Sequence, residues 1–459
     1  MKIIICGAGQ VGSQIARHLS SENNDVTIVD QDPALVRRVT DSYDVSGVTG
    51  FASHPDVLER AGAEDADMLI AATFADEVNM VACQVAHSVF SVPQKIARVR
   101  AQSYLAPAWS DLFRRDHMPI DVIISPELEV ARVALRRLRS PEAFDSENFL
   151  DEKVSLVGLS LTDECPVLNT PLRQLSELFS TLRAIVVAYR RDGVLHTASA
   201  DDQLLAGDSI YLVALKEDVA RAVQLFGRKS EPAARVVIVG AGNVGLSVAR
   251  MLEKDPARPR VKMVERDRRK AEAAAETLNR TIVLLGDGMD PILQEEANIR
   301  DADAILSLTD DDKSNLLSAA RGKAAGCRVA IALTNDPGYG ELGERLGLDA
   351  LIVPRATTVS SILRHVRRGK VRAVYAVGDQ EAEVIEAQVL ATSPIAGKRL
   401  RDASFPEEAV VGAVLRQNGT VEMPSGDLVI HEGDRVVVFS ERRVVRQVEQ
   451  LFRVSVEFF

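Results

Sequence analysis

Long apolar runs are missing from this 459-residue sequence. A membrane-crossing helix needs roughly 20 consecutive apolar residues, and the longest runs, such as RVVIVGAG at 235–242, have only strand length. The opening MKIIICG runs straight into a strand pattern with no signal-peptide cleavage site, so the expected compartment is the cytosol. Cysteine is scarce. Cys6, Cys83, Cys165 and Cys327 lie far apart, without metal-ligand or redox spacing, as expected of small buried side chains in a reducing compartment. The 7 histidines are equally scattered and no HExxH occurs, so no metal site is expected. An excess of basic charge is also missing. The net charge of −11 argues against a general nucleic-acid binder, although a local patch could still dock on a membrane protein.

The sequence does hold 46% apolar and 26% charged residues, the balance of a soluble globular chain with full cores. Its length suits two to four domains of roughly 100–200 residues each. It also holds a long internal repeat. GAGQVG at 7–12 returns as GAGNVG at 240–245, a spacing of 233. Asp30 and Glu265 are 235 apart, and Thr73–Thr309 and Asn79–Asn315 are each 236 apart. Farther on, AGDSIYLVALKEDVARAVQLF ends at Phe226 and EGDRVVVFSERRVVRQVEQLF at Phe452. Each half therefore carries the same two modules in the same order.

The first module of each half alternates short Val/Ile-rich strands with amphipathic helical stretches. Strands are expected near 2–6, 26–30, 45–49, 67–72, 95–99 and 121–124, and again near 235–239, 261–265, 281–285, 304–308, 328–333 and 350–353. Nearly all-apolar strands joined by helices imply a parallel sheet covered on both faces. The second module reads as short strands, VSLVGL, RAIVVAYRR and SIYLVAL, with a turn at Arg191-Asp192-Gly193 and a closing helix. EVIEAQV, VVGAVLRQ, a turn at Asn418-Gly419 and RVVVFS repeat that order. The expected fold is α/β: two Rossmann-like doubly wound parallel-sheet domains at 1–140 and 233–370, each followed by a small α+β domain, at 141–228 and 371–459.

A bare GxGxxG is a weak signal, but here each loop follows a strand and opens a helix. Gly7 permits the tight turn, Gly9 lets backbone N–H groups approach a pyrophosphate, and Gly12 lets helix and strand pack closely; Gly240, Gly242 and Gly245 repeat these roles. The helix N-terminus supplies free N–H donors and partial positive charge. Asp30 and Glu265 end the second strand of each half, where a carboxylate accepts ribose hydroxyls and repels a 2′-phosphate, favouring NAD(H) or an adenosine nucleotide over NADP. Thr73 and Thr309 end strands on the same side, where hydroxyl and backbone could reach a ligand, and Arg98 could pair with a phosphate bidentately. Asp310-Asp311-Asp312 fits a solvated loop capping a helix. The halves differ: Ile331 is expected opposite Arg98, Lys313 opposite Glu77 and Asp287 opposite Phe51, so the second pocket is expected to differ in preference or strength.

Catalysis finds little support. None of the six tyrosines is followed four residues on by lysine, no histidine repeats between the halves, and neither GxSxG nor a P-loop lysine motif occurs. No catalytic residue is therefore expected.

MKIIICGAGQVG, GFASHPDVLERAGAEDADMLIAAT and DEVNMVACQVA, with VVIVGAGNVG and GDGMDPILQEEANIRDADAILSLT, resemble the TrkA family of tandem RCK (KTN) subunits, across essentially the whole chain. The stretch 50–73 is far more specific than the glycines. The resemblance implies a non-enzymatic, cytoplasmic regulatory subunit, peripheral at the inner face of the cell membrane. It implies docking on a TrkH-like membrane potassium transporter and a homo-oligomer, dimer or tetramer, that forms a gating ring. NAD(H) is the implied cofactor, with ATP/ADP as competing regulators. By position, one site would use Gly7, Ala8, Gly9, Gln10, Val11, Gly12, Asp30, Thr73, Phe74 and Arg98. The other would use Gly240, Ala241, Gly242, Asn243, Val244, Gly245, Glu265, Asp287, Thr309 and Asp310. The helical stretches 125–138 and 357–368 would carry the signal to a partner. Two alternatives stand beside this: a bifunctional NAD-dependent oxidoreductase, and the regulatory subunit of a potassium/proton antiporter.

Overall fold

A computed structural model describes residues 1–21, 24–139, 143–179, 181–228, 233–366, 371–377 and 381–452. The chain divides into two compact units, Met1–Leu135 with Ala234–Val366 and Arg136–Ala233 with Arg367–Phe459. Each unit thus collects one module from each half. The expected junction at 140/141, and the residue before the one at 370/371, fall outside the described residues.

The first unit contains two six-stranded parallel sheets. Strands Lys2–Cys6, Asp25–Asp30, Ser46–Thr49, Met68–Ala71, Gln94–Arg98 and Val122–Ile124 form one, and Arg235–Val239, Arg260–Glu265, Ile282–Leu285, Ala304–Ser307, Val329–Leu333 and Ala350–Ile352 the other. Both have the spatial order 3-2-1-4-5-6, the doubly wound arrangement whose ligand crevice lies at the carboxyl ends of the strands. Alternation along a strand sends Ile3 and Ile5 to one face and Ile4 and Cys6 to the other, and both faces are buried. The glycine-loop helices are Gln10–Ser21 and Asn243–Lys254. Ile15, Ala16 and Leu19 of the first pack on its sheet.

One helix covers a sheet of the other half. The helix after the second half's sixth strand, Pro354–Leu363, places Val359 and Ile362, with Val366 beyond it, in the core of the first half beside Ile15, Ile96 and Ile124. Burying two such side chains contributes about 3–6 kcal/mol to joining the halves. Arg364 adds an ion pair to buried Glu129, Nη2 to Oε2 at 3.1 Å. The first half's counterpart, Pro126–Arg139, matches the expected 125–138, whereas 357–368 ends early as a regular helix and its last two residues lie outside the described ones.

The second unit holds two five-stranded antiparallel sheets. Asp145–Phe149, Val154–Ser160, Ala184–Arg191, Val194–Thr197 and Ser209–Leu215 make the first. Val371–Val377, Ala382–Gln388, Ala409–Leu415, Val421–Glu422 and Arg435–Glu441 make the second. The expected hairpin at Asp192-Gly193 forms with both residues at positive φ, 50° and 80°. The two sheets share a core in which Phe149, Leu156, Tyr211 and Val213 meet Val384, Ala413, Val437 and Phe439. Leu150, Asp151 and Glu152 follow the first strand at φ 54°, 58° and 63°. Left-handed backbone costs non-glycine residues roughly 1–2 kcal/mol each. The other sheet holds this turn: Leu150 N–H donates to Glu386 Oε2 at 2.7 Å, and Arg435 pairs with Asp151 and Glu386.

All four cysteines are buried free thiols, and burial pushes Cys6 up to about 12 and Cys327 to about 11. Among the described residues no helix is long and apolar enough to cross a membrane.

Candidate functional site

The glycine loops are dictated by contact distances. Gly7 sits at φ +108°, and a Cβ on Gly12 would lie 1.8 Å from the Gly7 carbonyl oxygen. Gly240 at φ +105° and Gly245, whose Cβ would lie 2.0 Å from the Gly240 oxygen, repeat this. Gly9 and Gly242 differ, because a Cβ on either would meet open space. Backbone N–H groups of the first helical turn have no intrahelical acceptor.

The acids at the ends of the second strands brace these loops. Asp30 Oδ2 accepts the Ala8 N–H at 2.7 Å and Oδ1 the Asp32 N–H at 2.9 Å. Glu265 accepts Ala241 N–H at 2.6 Å and Asp267 N–H at 2.8 Å. A carboxylate offers about four acceptor positions, so each acid keeps capacity for further hydroxyl donors.

Thr73 and Thr309 also hold strand ends together. Thr73 hydroxyl and N–H both donate to Asn79 Oδ1, at 2.7 and 2.9 Å, and Asn79 Nδ2 donates to the carbonyls of Thr73 and Arg98, at 3.2 and 2.9 Å. Thr309, Asn315 and Leu333 repeat the pattern at 2.7–2.9 Å. Each buried asparagine ties the end of the fourth strand to the end of the fifth, so the threonine hydroxyls are already engaged. Asp76 and Asp312 add a second tie, Asp76 accepting the N–H groups of Arg100 and Ala101, and Asp312 those of Asn335 and Asp336. Asp311 caps its helix by accepting Ser314 N–H at 2.6 Å, which fits the expected capping loop.

These ties correct the repeat register. The residue opposite Arg98 is Leu333, a spacing of 235, and not Ile331, which follows from the glycine-loop spacing of 233. By the same register Arg100 corresponds to Asn335. Arg98 is half-buried, its Nε has no hydrogen-bond partner among the described residues, and burial lowers its pKa, with Arg100 adding to the effect. Arg100 donates from Nε to Glu127 Oε1 at 3.2 Å and lies over the exposed ring of Phe74, 5.7 Å from its centroid. Glu127 Oε2 is buried and unpartnered.

A cavity of about 1110 Å³ gathers much of this. Gly7, Gly9, Gln10, Val11, Asp30, Thr73, Phe74 and Arg98 line it from the first half, and Gly242, Asn243, Val244, Thr309 and Asp310 from the second. Parts of the two expected sites thus line one space. Ala8, Gly12, Gly240, Ala241, Gly245, Glu265 and Asp287 do not line it; Asp287 instead accepts Met289 N–H at 2.8 Å. Sequence reasoning missed Arg100, Glu127, Asn335 and Arg355, which also line the cavity. Arg100 was legible in the charged KIARVR strand end, but the other three carried no local signal. The residues fit a phosphate-bearing nucleotide: Arg98, two glycines with open space at the Cβ position and the acid Asp30 line one cavity.

The family model of the TrkA-N domain matches residues 3–126 and 236–354, and that of the TrkA-C domain 156–227 and 384–453. The chain belongs to the TrkA family. It is 50% identical to the Trk system potassium uptake protein TrkA of Azorhizobium caulinodans over the full length of both chains. It is 38% identical to that of Halomonas elongata, again over the full length of both, and 37% to that of Vibrio alginolyticus over 99% of each. Among solved structures it resembles the GsuK RCK domain, with TM-score 0.58 at 17% identity, covering 98% of this chain and 94% of that one. It also resembles the GsuK channel bound to NAD, with TM-score 0.59 at 16% identity, covering 98% and 78%. These likenesses establish RCK modules as the fold. The TrkA family serves potassium uptake, in keeping with a regulatory protein.

Proposed function

We propose that the chain is the cytoplasmic nucleotide-sensing subunit of a Trk-type potassium uptake system. An adenine nucleotide, NAD(H) or in competition ATP/ADP, occupies the cavity of the first unit and sets the state of a TrkH-like membrane potassium transporter. The chain acts as a homo-oligomer whose Rossmann domains form a ring at the inner membrane face, and it leaves the nucleotide chemically unchanged. The family's potassium uptake relatives and the GsuK channel's binding of NAD support this reading.

The observation that carries it is Arg98, a half-buried cation without a hydrogen-bond partner at Nε, beside open glycine N-termini. Burying a guanidinium is costly unless an anion answers it, and a pyrophosphate would do so bidentately. The N–H groups after Gly9 and Gly242 would hold phosphate oxygens, and Asp30 ribose hydroxyls. A ligand shifts such an assembly only by its difference in affinity between two states, so nucleotides of different length and charge would act as opposed signals. Calorimetry of the intact chain with NADH, NAD, ATP and ADP tests this. Saturable binding that Arg98→Ala or Asp30→Ala weakens is expected; no binding by any of the four, or steady consumption of NADH, would overturn it.

A further inference from the structure

We infer that Arg355 is a specificity-determining residue that answers the terminal phosphate of a nucleoside triphosphate in the shared cavity; the inference rests on the nucleotide reading above. Arg355 occupies the place that Glu127 has in the first half. The sixth strands end at Ile124 and Ile352, whose carbonyls accept the N–H groups of Val99 and Thr334, each at 3.0 Å. Pro126 and Pro354 then open the two terminal helices, so Glu127 and Arg355 hold equivalent positions with opposite charges.

The surroundings change with them. In the first half Glu127 answers Arg100 at 3.2 Å. In the second half the fifth-strand arginines are replaced by Leu333 and Asn335, so the cation stands on the helix alone. Among the described residues Arg355 makes no hydrogen bond or ion pair, yet it is half-buried and lines the cavity. Its helix packs onto the first half's core through Val359 and Ile362. Thr358, one turn on, lines the same cavity as Gln10 and Val11. The acid of the second half in this cavity, Asp310, is exposed.

A triphosphate ends in added negative charge, which a partnerless guanidinium would bind. A dinucleotide ends in a neutral ribose and nicotinamide amide, which need no such cation. A triphosphate held by the first glycine loop and by Arg355 would touch both halves, whereas a dinucleotide would not use the second contact. Phosphate number is then read across the junction of the two halves.

Calorimetry of the full-length chain with ATP, ADP and NADH, comparing the unmodified protein with Arg355→Ala and Arg355→Lys, tests this. A hydrogen bond to a charged group is commonly worth at least a tenfold change in affinity. Arg355→Ala should weaken ATP by about tenfold or more, ADP by less, and NADH by under about twofold. Arg355→Lys keeps the charge, should recover part of the ATP affinity, and serves if the alanine variant folds poorly. Equal effects on ATP and NADH, or none on ATP, would overturn the inference. If Arg98→Ala weakens every ligand while Arg355 variants leave the ATP-to-NADH ratio unchanged, only this inference fails. If the unmodified chain binds none of the three, the nucleotide reading itself fails.

Discussion

Replacing Asn79 with alanine should damage the site from beneath. Asn79 is fully buried and makes four hydrogen bonds, two accepted from Thr73 and two donated to the carbonyls of Thr73 and Arg98. The Thr73 hydroxyl has a second partner, the Ala75 carbonyl at 3.2 Å. A net hydrogen bond is worth about 1 kcal/mol, and an unmet buried group costs about 1–3 kcal/mol. Asn79→Ala should therefore lose about 2–4 kcal/mol, read as a fall in the urea midpoint of the circular-dichroism transition. Asn315 makes the same four bonds and is an internal replicate, so Asn315→Ala should cost a similar amount. Asn79→Asp separates chemistry from size. Its carboxylate would face two carbonyl oxygens, so it should be at least as destabilised as alanine near neutral pH. Its deficit should shrink as pH falls and the buried carboxyl takes up a proton. Because the Arg98 carbonyl is one of the anchored groups, Asn79→Ala should also weaken nucleotide binding more than Asn315→Ala does. Midpoints for both alanine variants within about 0.5 kcal/mol of the parent would refute the reasoning.

The glycines separate packing from binding. Gly12→Ala places a Cβ 1.8 Å from a carbonyl oxygen and should cost about 1–3 kcal/mol with loss of binding, whereas Gly9→Ala should fold normally and lose binding alone; thermal melts beside calorimetry check the contrast. In the second unit, Arg435→Ala should destabilise by about 3–5 kcal/mol by stranding buried Glu386, and Glu386→Gln in the same chain should recover part of it, as urea melts would register. The four thiols should resist a disulfide reagent at pH 8 until the chain unfolds, since burial holds Cys6 near about 12 and raises the others. The raised thiol pKa values favour the folded state below the free-thiol value of 9.0, and that contribution should fade as pH climbs above it.

Much of the first unit was legible because its strands are continuous Val/Ile runs punctuated by glycine turns, and every one of its twelve strands forms within about two residues of expectation. The polar DSENF at 145–149 was not legible. It pairs as an edge strand because Glu147 finds Arg136 and Phe149 enters the shared core, contacts that no local pattern announces. Val371–Val377 was missed in the same way, since the first strand expected in that domain was EVIEAQV. The slip that placed Ile331 opposite Arg98 came from carrying the glycine-loop spacing of 233 to a point where the halves are 235 apart; a two-residue slip keeps every side chain on its own face, so the alternation of the strand gave no warning of it. Asn79 and Asn315 were visible as a repeat, but their bonding was not. That Pro354–Leu363 covers the first half's sheet is a tertiary choice, and with it went the meeting of both glycine loops in one cavity.

The most direct measurement is potassium flux into vesicles carrying the TrkH-like transporter of the same cell, with this protein added on the cytoplasmic side. Flux should change on adding the protein, differ between saturating ATP and NADH, and lose that difference in Arg98→Ala. Flux that ignores both the protein and the nucleotides would contradict the account.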